Sequence, residues 1–135
     1  MVQYNIVVVE NDEDEQFFIR EGFESNNKFK VLDIVKNGDV LFEKLRSGNE
    51  VPDVILSDLN MPGKNGYDIL SEIKQTAEFS NIPVVITSTS STRSTMDKCF
   101  SLGAAAFLVK PETFIDYGPF IERLYDVLQE KQIVK

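Results

Sequence analysis

Side chains that can do chemistry stand just after four short apolar runs of the sequence. Acids follow two of these runs at Glu10 and Asp58, a hydroxyl follows another at Ser88, and an amine follows the last at Lys110. Carboxylates are the hard oxygen ligands that Mg²⁺ requires, lysine supplies a positive charge, and serine supplies a neutral hydrogen-bond donor. This combination suits a phosphoryl group, with Asp58 as a carboxylate nucleophile that attacks phosphorus.

The acids after the first run create a need for a cation. A dianionic phosphoryl group arriving beside Glu10 and Asp12 would be strongly repelled unless a divalent cation lay between them. We therefore predict Mg²⁺ as the cofactor, because Mg²⁺ and Lys110 together would neutralise the transferring group. Afterwards, Lys110 and Ser88 can hold the oxygens of that group.

Five short runs rich in β-branched residues predict the strands that position these side chains. Three of the runs are continuously apolar, which is typical of strands covered by helices on both faces and therefore of a parallel sheet. Because parallel strands end at the same edge, the polar clusters should all emerge into one crevice there. The predicted strands are residues 6–9, 31–35, 54–56, 83–87 and 106–109.

Segments with the period of amphipathic helices lie between these runs. The last helix opens at Gly118-Pro119, because proline is favoured at the first helical position, and residues 112–117 are then a connecting loop. Five alternations of strand and helix predict a doubly wound α/β fold with right-handed crossovers. The other predicted helices are residues 13–25, 38–47, 67–76 and 92–102.

Composition narrows the possible functions. The 135 residues carry a formal net charge of −8 and no histidine. The absence of histidine excludes a Ser-His-Asp catalytic triad, a Cys-His catalytic dyad and a zinc site with histidine ligands. The negative charge, without a cluster of lysine or arginine, disfavours nucleic acid as a partner. The length predicts one domain over residues 1–135.

Location is predicted from features that the sequence lacks. Cys99 is the single cysteine, so it has no internal disulfide partner, and the first residues lack the pattern of a signal peptide. The longest apolar run, Ala104–Val109, is far shorter than the roughly 18 residues of a membrane span. We therefore expect a cytoplasmic protein that makes no membrane contact.

Four sequence motifs surround the polar clusters. They are Ile6-Val-Val-Val-Glu-Asn-Asp12, Asp53-Val-Ile-Leu-Ser-Asp-Leu-Asn-Met-Pro-Gly-Lys-Asn-Gly66, Ile82-Pro-Val-Val-Ile-Thr-Ser-Thr-Ser90 and Gly103-Ala-Ala-Ala-Phe-Leu-Val-Lys-Pro111. With these motifs in this order, the chain resembles a receiver domain of two-component response regulators, specifically the stand-alone kind without an output domain. The resemblance implies a flavodoxin-like fold with five parallel strands in the order 2-1-3-4-5.

The resemblance also implies a phosphorylation site and a metal site. Asp58 matches the phospho-acceptor, whose donor is a phosphohistidine on a histidine kinase or a histidine phosphotransfer protein. The family's metal site uses an acidic pair after the first strand, the acceptor, and the backbone carbonyl two residues beyond it. These positions fall on Glu10, Asn11, Asp58 and Asn60 in this sequence.

A switch is implied as well. Lys110 matches the family's lysine, whose bond to the following proline, here Pro111, is usually cis. Ser88 matches the switch hydroxyl, and Phe107 matches the aromatic residue that turns inward when the hydroxyl moves toward the phosphoryl group. The surface of the fourth helix, fifth strand and fifth helix would then change its affinity for an unknown downstream protein.

Asn11 departs from the family pattern, which usually has an Asp that touches the metal at this position. Asparagine keeps a carbonyl oxygen, but the site loses one negative charge and should hold Mg²⁺ more weakly. Either Asp12 swings in as a substitute ligand, or the domain works with low metal affinity and slow phosphorylation. A third alternative is a pseudo-receiver that signals without phosphorylation.

Two other functional classes fit the same fold less well. A Mg²⁺-dependent phosphatase would want a second acid two residues after its nucleophile, where this sequence has Asn60. A flavin or nucleotide binder would want a Gly-rich or hydroxyl-rich loop after the first strand, where the acids at residues 10–14 would repel phosphate. We therefore expect a signalling module and not an enzyme.

Residues of the predicted first and last helices bear on charge and on protein contacts. The acids Glu13, Asp14 and Glu15 are interpreted as solvated residues of the first turn, favoured by the helix dipole. Phe17 lies outside the apolar stripe of its helix, so it is either a scattered exposed residue or a docking contact for the donor protein. The apolar positions of the last helix could serve a homodimer.

Overall fold

The computed structural model describes residues 3–48, 50–113 and 116–133. Within these residues, five parallel strands form one sheet, in which the chain order of the strands is second, first, third, fourth, fifth. This confirms the predicted doubly wound, flavodoxin-like fold. The strands are β1 (Tyr4–Val9), β2 (Phe29–Val35), β3 (Val54–Asp58), β4 (Val84–Ser88) and β5 (Ala106–Val109).

The helices lie within one residue of their predicted ends. They are α1 (Glu13–Glu24), α2 (Gly38–Ser47), α3 (Gly66–Gln75), α4 (Arg93–Ser101) and α5 (Gly118–Glu130). The first four begin after a polar N-cap side chain that accepts a backbone hydrogen bond, at Asp12, Asn37, Asn65 and Thr92. Across the described segments, no helix has the length and apolar character to cross a lipid bilayer.

β1 and β2 begin two residues earlier than predicted, and two other strands extend further at their carboxyl ends. β3 runs to Asp58 and β4 runs to Ser88. The reason is that the hydrogen-bond ladder continues: the amide of Leu59 donates to the carbonyl of Thr87, and the amide of Lys110 donates to the carbonyl of Ser88, both at 2.9 Å. Asp58 and Ser88 are therefore held by the sheet itself and not by flexible loops.

Apolar side chains cover both faces of the sheet. On one face, residues such as Val7 and Ile55 pack with α2, α3 and α4; on the other, residues such as Val8 and Leu56 pack with α1 and α5. The central strands are thus buried on both sides, as their continuous apolar runs predicted. Tyr125, one of the apolar residues of α5 that suggested a homodimer, is half-buried. The other four are buried in this packing, so they do not form an exposed dimer surface. They are Phe120, Ile121, Leu124 and Leu128.

Candidate functional site

Acids from two strands meet a lysine from a third at the carboxyl edge of the sheet. Lys110 follows β5, and its Nζ lies 3.0 Å from Glu10 Oε1 and 3.1 Å from Asp58 Oδ2. Glu10 follows β1, and Asp58 ends β3. The side chains are 2%, 8% and 9% exposed for Glu10, Asp58 and Lys110. The crevice predicted from the strand ends therefore contains a buried ionic cluster.

A third acid, Glu15, belongs to this cluster and was missed by the sequence analysis. Its Oε2 lies 2.6 Å from Lys110 Nζ and accepts a 2.7 Å hydrogen bond from the Tyr117 hydroxyl. The interpretation of Glu15 as a solvated acid is wrong, because its side chain is only 11% exposed. The available signal was its spacing: Glu15, Ile19 and Gly22 lie on one helix face, and all three are buried.

Burial and mutual interaction set the protonation of the acids. Burial is the main cause that raises the pKa of Glu10 to about 7, and its hydrogen bond with Glu15 adds to the rise. Burial also raises the pKa of Asp58, against the attraction of Lys110. For Glu15, burial is outweighed by hydrogen bonds from Glu10, Lys110 and Tyr117, so its pKa is lowered.

Lys110 keeps its positive charge in this setting. Burial works to lower the pKa of Lys110, but the surrounding carboxylates of Glu15, Glu10 and Asp58 outweigh it and raise the pKa above its ordinary value. A permanent positive charge therefore lies beside the carboxylate of Asp58. Such a charge can stabilise the oxygens of a transferring phosphoryl group.

Ser88 lies on the strand next to Asp58 and is fully buried. Its Oγ accepts hydrogen bonds from Asn60 Nδ2 at 3.2 Å and from the amide of Ser90 at 3.1 Å. A serine hydroxyl can donate as well as accept, so Ser88 still has a proton to give. The backbone amide of Asn60 donates to Asp58 Oδ1, at 3.4 Å. Asn60 therefore connects the predicted acceptor with the predicted switch hydroxyl.

The backbone that follows Asp58 is held by the start of α3. The amide of Gly66 donates to the carbonyl of Leu59 at 2.9 Å. A Cβ at Gly66 would lie 2.9 Å from Leu59 Cα and 3.0 Å from the carbonyl oxygen of Asp58, so a side chain there would collide with backbone. Glycine permits this close approach, which fixes the position of Asp58 and of the residues after it.

Asp12 organises the start of α1. Its Oδ1 accepts a 3.0 Å bond from the amide of Glu15, and its own amide donates to Glu10 Oε2 at 3.1 Å. Asp12 is thus the N-cap of the helix, and to serve as a metal ligand it would have to give up a cap worth about 1 kcal/mol.

The two other predicted site residues lie away from the ionic cluster's contacts with Lys110. Asn11, beside Asp12, is exposed. Phe107 is half-buried and packs against the core on the α2–α4 face.

The peptide bond between Lys110 and Pro111 is trans, as the described peptide bonds all are. The expectation of a cis bond at this position is therefore wrong. The trans form is the lower-energy state of an X–Pro bond by about 0.5–1 kcal/mol. Lys110 reaches Glu10, Glu15 and Asp58 with this trans bond in place.

Oxygen atoms suited to a divalent cation remain in the cluster beside those that contact Lys110. Glu10 Oε2 and Asp58 Oδ1 accept from the backbone amides of Asp12 and Asn60. The resemblance adds the amide oxygen of Asn11 and the backbone carbonyl of Asn60, and together these would be the hard donors that Mg²⁺ prefers. Among the described residues, no three His, Cys, Asp or Glu side chains are grouped as a ready metal site. The residues fit Mg²⁺ through two carboxylates completed by amide, carbonyl and water oxygens.

Comparison with known proteins agrees with the fold described above. A family model described as the response regulator receiver domain matches residues 6–116. The two-component response regulator ARR5 of Arabidopsis thaliana is 37% identical over 101 residues, which are 75% of this chain and 50% of ARR5. The probable methanogenesis regulatory protein FilR2 of Methanothrix harundinacea is 27% identical over 123 residues, 88% of this chain and 79% of FilR2. The chain thus spans about half of ARR5 and most of FilR2.

Solved structures give the same result. The phosphorylated cyanobacterial phytochrome response regulator RcpA has a TM-score of 0.80 and 26% identity, and the match covers 93% of each chain. The Mn²⁺-bound form of response regulator Rcp1 has a TM-score of 0.71 and 24% identity over 96% of this chain and 89% of Rcp1. Since the receiver-domain model matches most of the sequence, the chain belongs to the response regulator receiver domains of two-component signalling.

Proposed function

We propose that this receiver domain is a phosphorylation-switched signalling module in which Asp58 is the acceptor. The observation that carries the proposal is the buried contact between Asp58 Oδ2 and Lys110 Nζ, at 3.1 Å. A carboxylate oxygen of Asp58 attacks the phosphorus of a phosphohistidine on a histidine kinase or a histidine phosphotransfer protein. The new P–O bond forms as the P–N bond breaks, and the imidazole of the partner leaves with the bonding electrons.

Charge neutralisation is the main requirement of this transfer. Lys110 supplies a fixed positive charge beside Asp58. Glu10, Asn11, Asp58 and the carbonyl of Asn60 would hold Mg²⁺, which when bound neutralises the negative oxygens of the transferring group. Rcp1, a protein of similar fold, was solved in a Mn²⁺-bound form, which supports a divalent cation as a ligand of this domain.

The proposed switch connects Ser88 with an exposed apolar surface. Once Asp58 carries a phosphoryl group, Ser88 turns its hydroxyl toward that group, and the half-buried Phe107 on the neighbouring strand moves inward. Phe100 on α4 and Val109 on β5 are 41% and 49% exposed. They offer an apolar surface that a downstream protein can recognise, and its shape changes with the position of Phe107.

The test is phosphorylation of the purified protein by acetyl phosphate. With Mg²⁺ we expect an intact-mass increase of one phosphoryl group, and with EDTA we expect none. Beryllofluoride, which mimics the phosphoryl group, should shift the amide resonances of residues 87–110 in the presence of Mg²⁺. If millimolar Mg²⁺ gives neither response, the acceptor proposal is wrong and the pseudo-receiver alternative takes its place.

Replacement of Asn11 by Asp is expected to tighten Mg²⁺ binding. The added carboxylate restores one negative charge to the proposed metal site, and we expect an affinity gain of about tenfold. A Mg²⁺ titration followed by amide shifts measures the gain. Equal affinities for Asn11→Asp and the wild type would show that residue 11 is not a ligand.

Asp12→Asn is the matched test of the substitute-ligand alternative. Asparagine caps a helix as well as aspartate does, so this change removes the charge and keeps the cap. If Asp12 serves only as the N-cap, we expect Mg²⁺ affinity close to that of the wild type. A loss of about tenfold would identify Asp12 as the ligand that replaces the missing carboxylate.

Phe17 is the residue of α1 that best fits a donor-docking contact. Its side chain is 57% exposed, and its ring packs edge-on against Phe18 with 5.2 Å between centroids. We expect Phe17→Ala to slow transfer from a phosphohistidine donor roughly fivefold and to leave the reaction with acetyl phosphate unchanged. Val51→Ala is the control, because Val51 is similarly exposed, at 63%, but precedes β3, at the other end of the sheet. Equal donor rates for Phe17→Ala and the wild type would end the docking idea.

A further inference from the structure

The Lys110 ammonium has three N–H donors and three carboxylate neighbours. Its Nζ lies 3.0 Å from Glu10, 3.1 Å from Asp58 and 2.6 Å from Glu15. The shortest of the three contacts is to Glu15, which no motif of the sequence assigned to the site. Each N–H donor of Lys110 can therefore point at one carboxylate, and the distance to Glu15 is the shortest of the three.

In the proposed reaction, two of these three acids change their partners. Asp58 becomes an acyl phosphate, so its carboxylate charge is lost to the new P–O bond. Glu10 would share its carboxylate with the divalent cation, through the oxygen that does not contact Lys110. Glu15 takes part in neither event, since it lies on α1 and not at a strand end. It is therefore the acid that can hold Lys110 before, during and after the transfer.

Glu15 is itself held from the other side. The buried Tyr117 hydroxyl donates a 2.7 Å hydrogen bond to Glu15 Oε2. Burial is the main cause that raises the pKa of Tyr117, and the hydrogen bond to Glu15 raises it further. The phenol therefore keeps the proton that it donates. A Cβ at Gly22 would lie 2.9 Å from Tyr117 Cβ and 2.7 Å from Ile121 Cδ1, so α1 and the start of α5 are in close contact. This packing anchors the base of the Tyr117 side chain near the end of α1, and the hydroxyl reaches back to Glu15 in the first turn.

We propose that Glu15 is a positioning residue that holds the Lys110 ammonium in place for the phosphoryl group, with Tyr117 orienting Glu15. This inference rests on the proposed function, because it assigns Lys110 to the phosphoryl oxygens. A misplacement of about 1 Å at a charged group can slow a reaction by up to about 100-fold. Without the Glu15 carboxylate, Lys110 is free to move with Glu10 toward the proposed Mg²⁺ ligands.

The experiment compares Glu15→Gln with Glu13→Gln in phosphorylation by acetyl phosphate at saturating Mg²⁺. Both changes remove one negative charge from the first turn of α1, but Glu13 is exposed. Charge alone predicts that both variants accept the anionic phosphoryl group somewhat faster than the wild type. Positioning predicts that Glu15→Gln is slower by about tenfold, while Glu13→Gln is not slower.

Two conservative variants separate positioning from charge and from folding. Glu15→Asp keeps the charge but shortens the reach toward Lys110, so it should be slower than the wild type and faster than Glu15→Gln. Tyr117→Phe keeps the ring in the core and removes only the hydroxyl, so it should also be slower, by less than Glu15→Gln. Thermal unfolding of each variant shows whether the compared proteins are folded, and these two variants carry the test if Glu15→Gln does not fold.

A second readout needs no phosphorylation. The ¹⁵N-resolved ammonium signal of Lys110, assigned by its absence in Lys110→Arg, should be observable in the wild type because the group is buried and bound. It should broaden or shift in Glu15→Gln and remain in Glu13→Gln. Wild-type rates and an unchanged ammonium signal in Glu15→Gln would overturn the positioning role. A wild-type protein that takes no phosphoryl group would instead overturn the proposed function itself.

Discussion

Asp58→Asn is expected to abolish phosphorylation by acetyl phosphate and by any phosphohistidine donor. Asparagine has nearly the shape of aspartate but offers no carboxylate oxygen to attack phosphorus. The intact mass should stay that of the unmodified chain, and beryllofluoride with Mg²⁺ should no longer shift the amides of residues 87–110. Because the chemistry requires the nucleophile itself, this loss is the largest effect that we expect from a single substitution.

The loss should occur in a folded protein. Burial disfavours the charged form of Asp58 and raises its pKa, so the ionised carboxylate is a cost to the folded state at neutral pH. A folded pKa above the unfolded one contributes stability only at low pH, and this contribution is absent at pH 7. Removal of the charge should therefore leave the free energy of unfolding equal to the wild-type value or higher.

Asp53→Asn is the matched control for this variant. Asp53 precedes the same strand at its other end, where its Oδ2 accepts a 2.8 Å bond from the amide of Asn5. The asparagine oxygen can accept that bond as well, so we expect phosphorylation at the wild-type rate. A modified Asp58→Asn protein would show that another residue is the acceptor, and peptide mapping of the product would locate it.

The strands and the shared edge of the sheet could be predicted because their signals are local. Continuous apolar runs such as Ile6–Val9 have one explanation in a chain of this size, which is a strand buried on both faces. Once the strands are parallel, their carboxyl ends meet, and Asp58 and Lys110 must lie near each other. Helix ends could be predicted from apolar stripes of helical period, and the structure adds polar N-caps at Asn37 and Asn65.

Glu15 and Tyr117 could not be predicted from local signals. They lie 102 positions apart in the sequence, and Tyr117 fell within the predicted connecting loop. An acid in the first turn of a helix is ordinarily solvated and favoured by the helix dipole, so its residue type favoured the wrong interpretation. The buried face that Glu15 shares with Ile19 and Gly22 was the one available clue.

The role of Asp12 shows a second limit of sequence reasoning. From spacing alone, Asp12 can be a metal ligand or a helix cap, since both roles place an acid just after the first strand. In the structure its carboxylate caps α1 by accepting from the amide of Glu15. The capping bond also places Glu15, so Asp12 helps to position the acid that contacts Lys110.

Lys110→Met is expected to have the second largest effect, on both stability and phosphorylation. Methionine nearly matches the length of lysine but leaves the acids Glu10, Glu15 and Asp58 buried without a cation. Removal of one partner from a buried ionic group typically costs 3–5 kcal/mol, and we expect a loss of about 3 kcal/mol in the free energy of unfolding at neutral pH. Urea denaturation measures this loss.

Lys30→Met is the control for the loss of one lysine charge at an exposed position. Lys30 and Glu50 are 3.7 Å apart and more than half exposed, so their ion pair should contribute less than about 1 kcal/mol. The deficit of Lys110→Met should shrink when Mg²⁺ is added, because the cation supplies positive charge to the same acids. Equal stability of Lys110→Met and the wild type would contradict a cluster held together by this lysine.

Phosphorylation separates the two roles of Lys110. If the lysine only balanced the acids, saturating Mg²⁺ would restore both the stability and the rate of Lys110→Met. In the proposed reaction the ammonium also contacts the oxygens of the transferring group, so the rate with acetyl phosphate should remain about 100-fold below the wild type after stability has recovered. Recovery of stability without recovery of rate would therefore assign Lys110 to the reaction as well as to the fold.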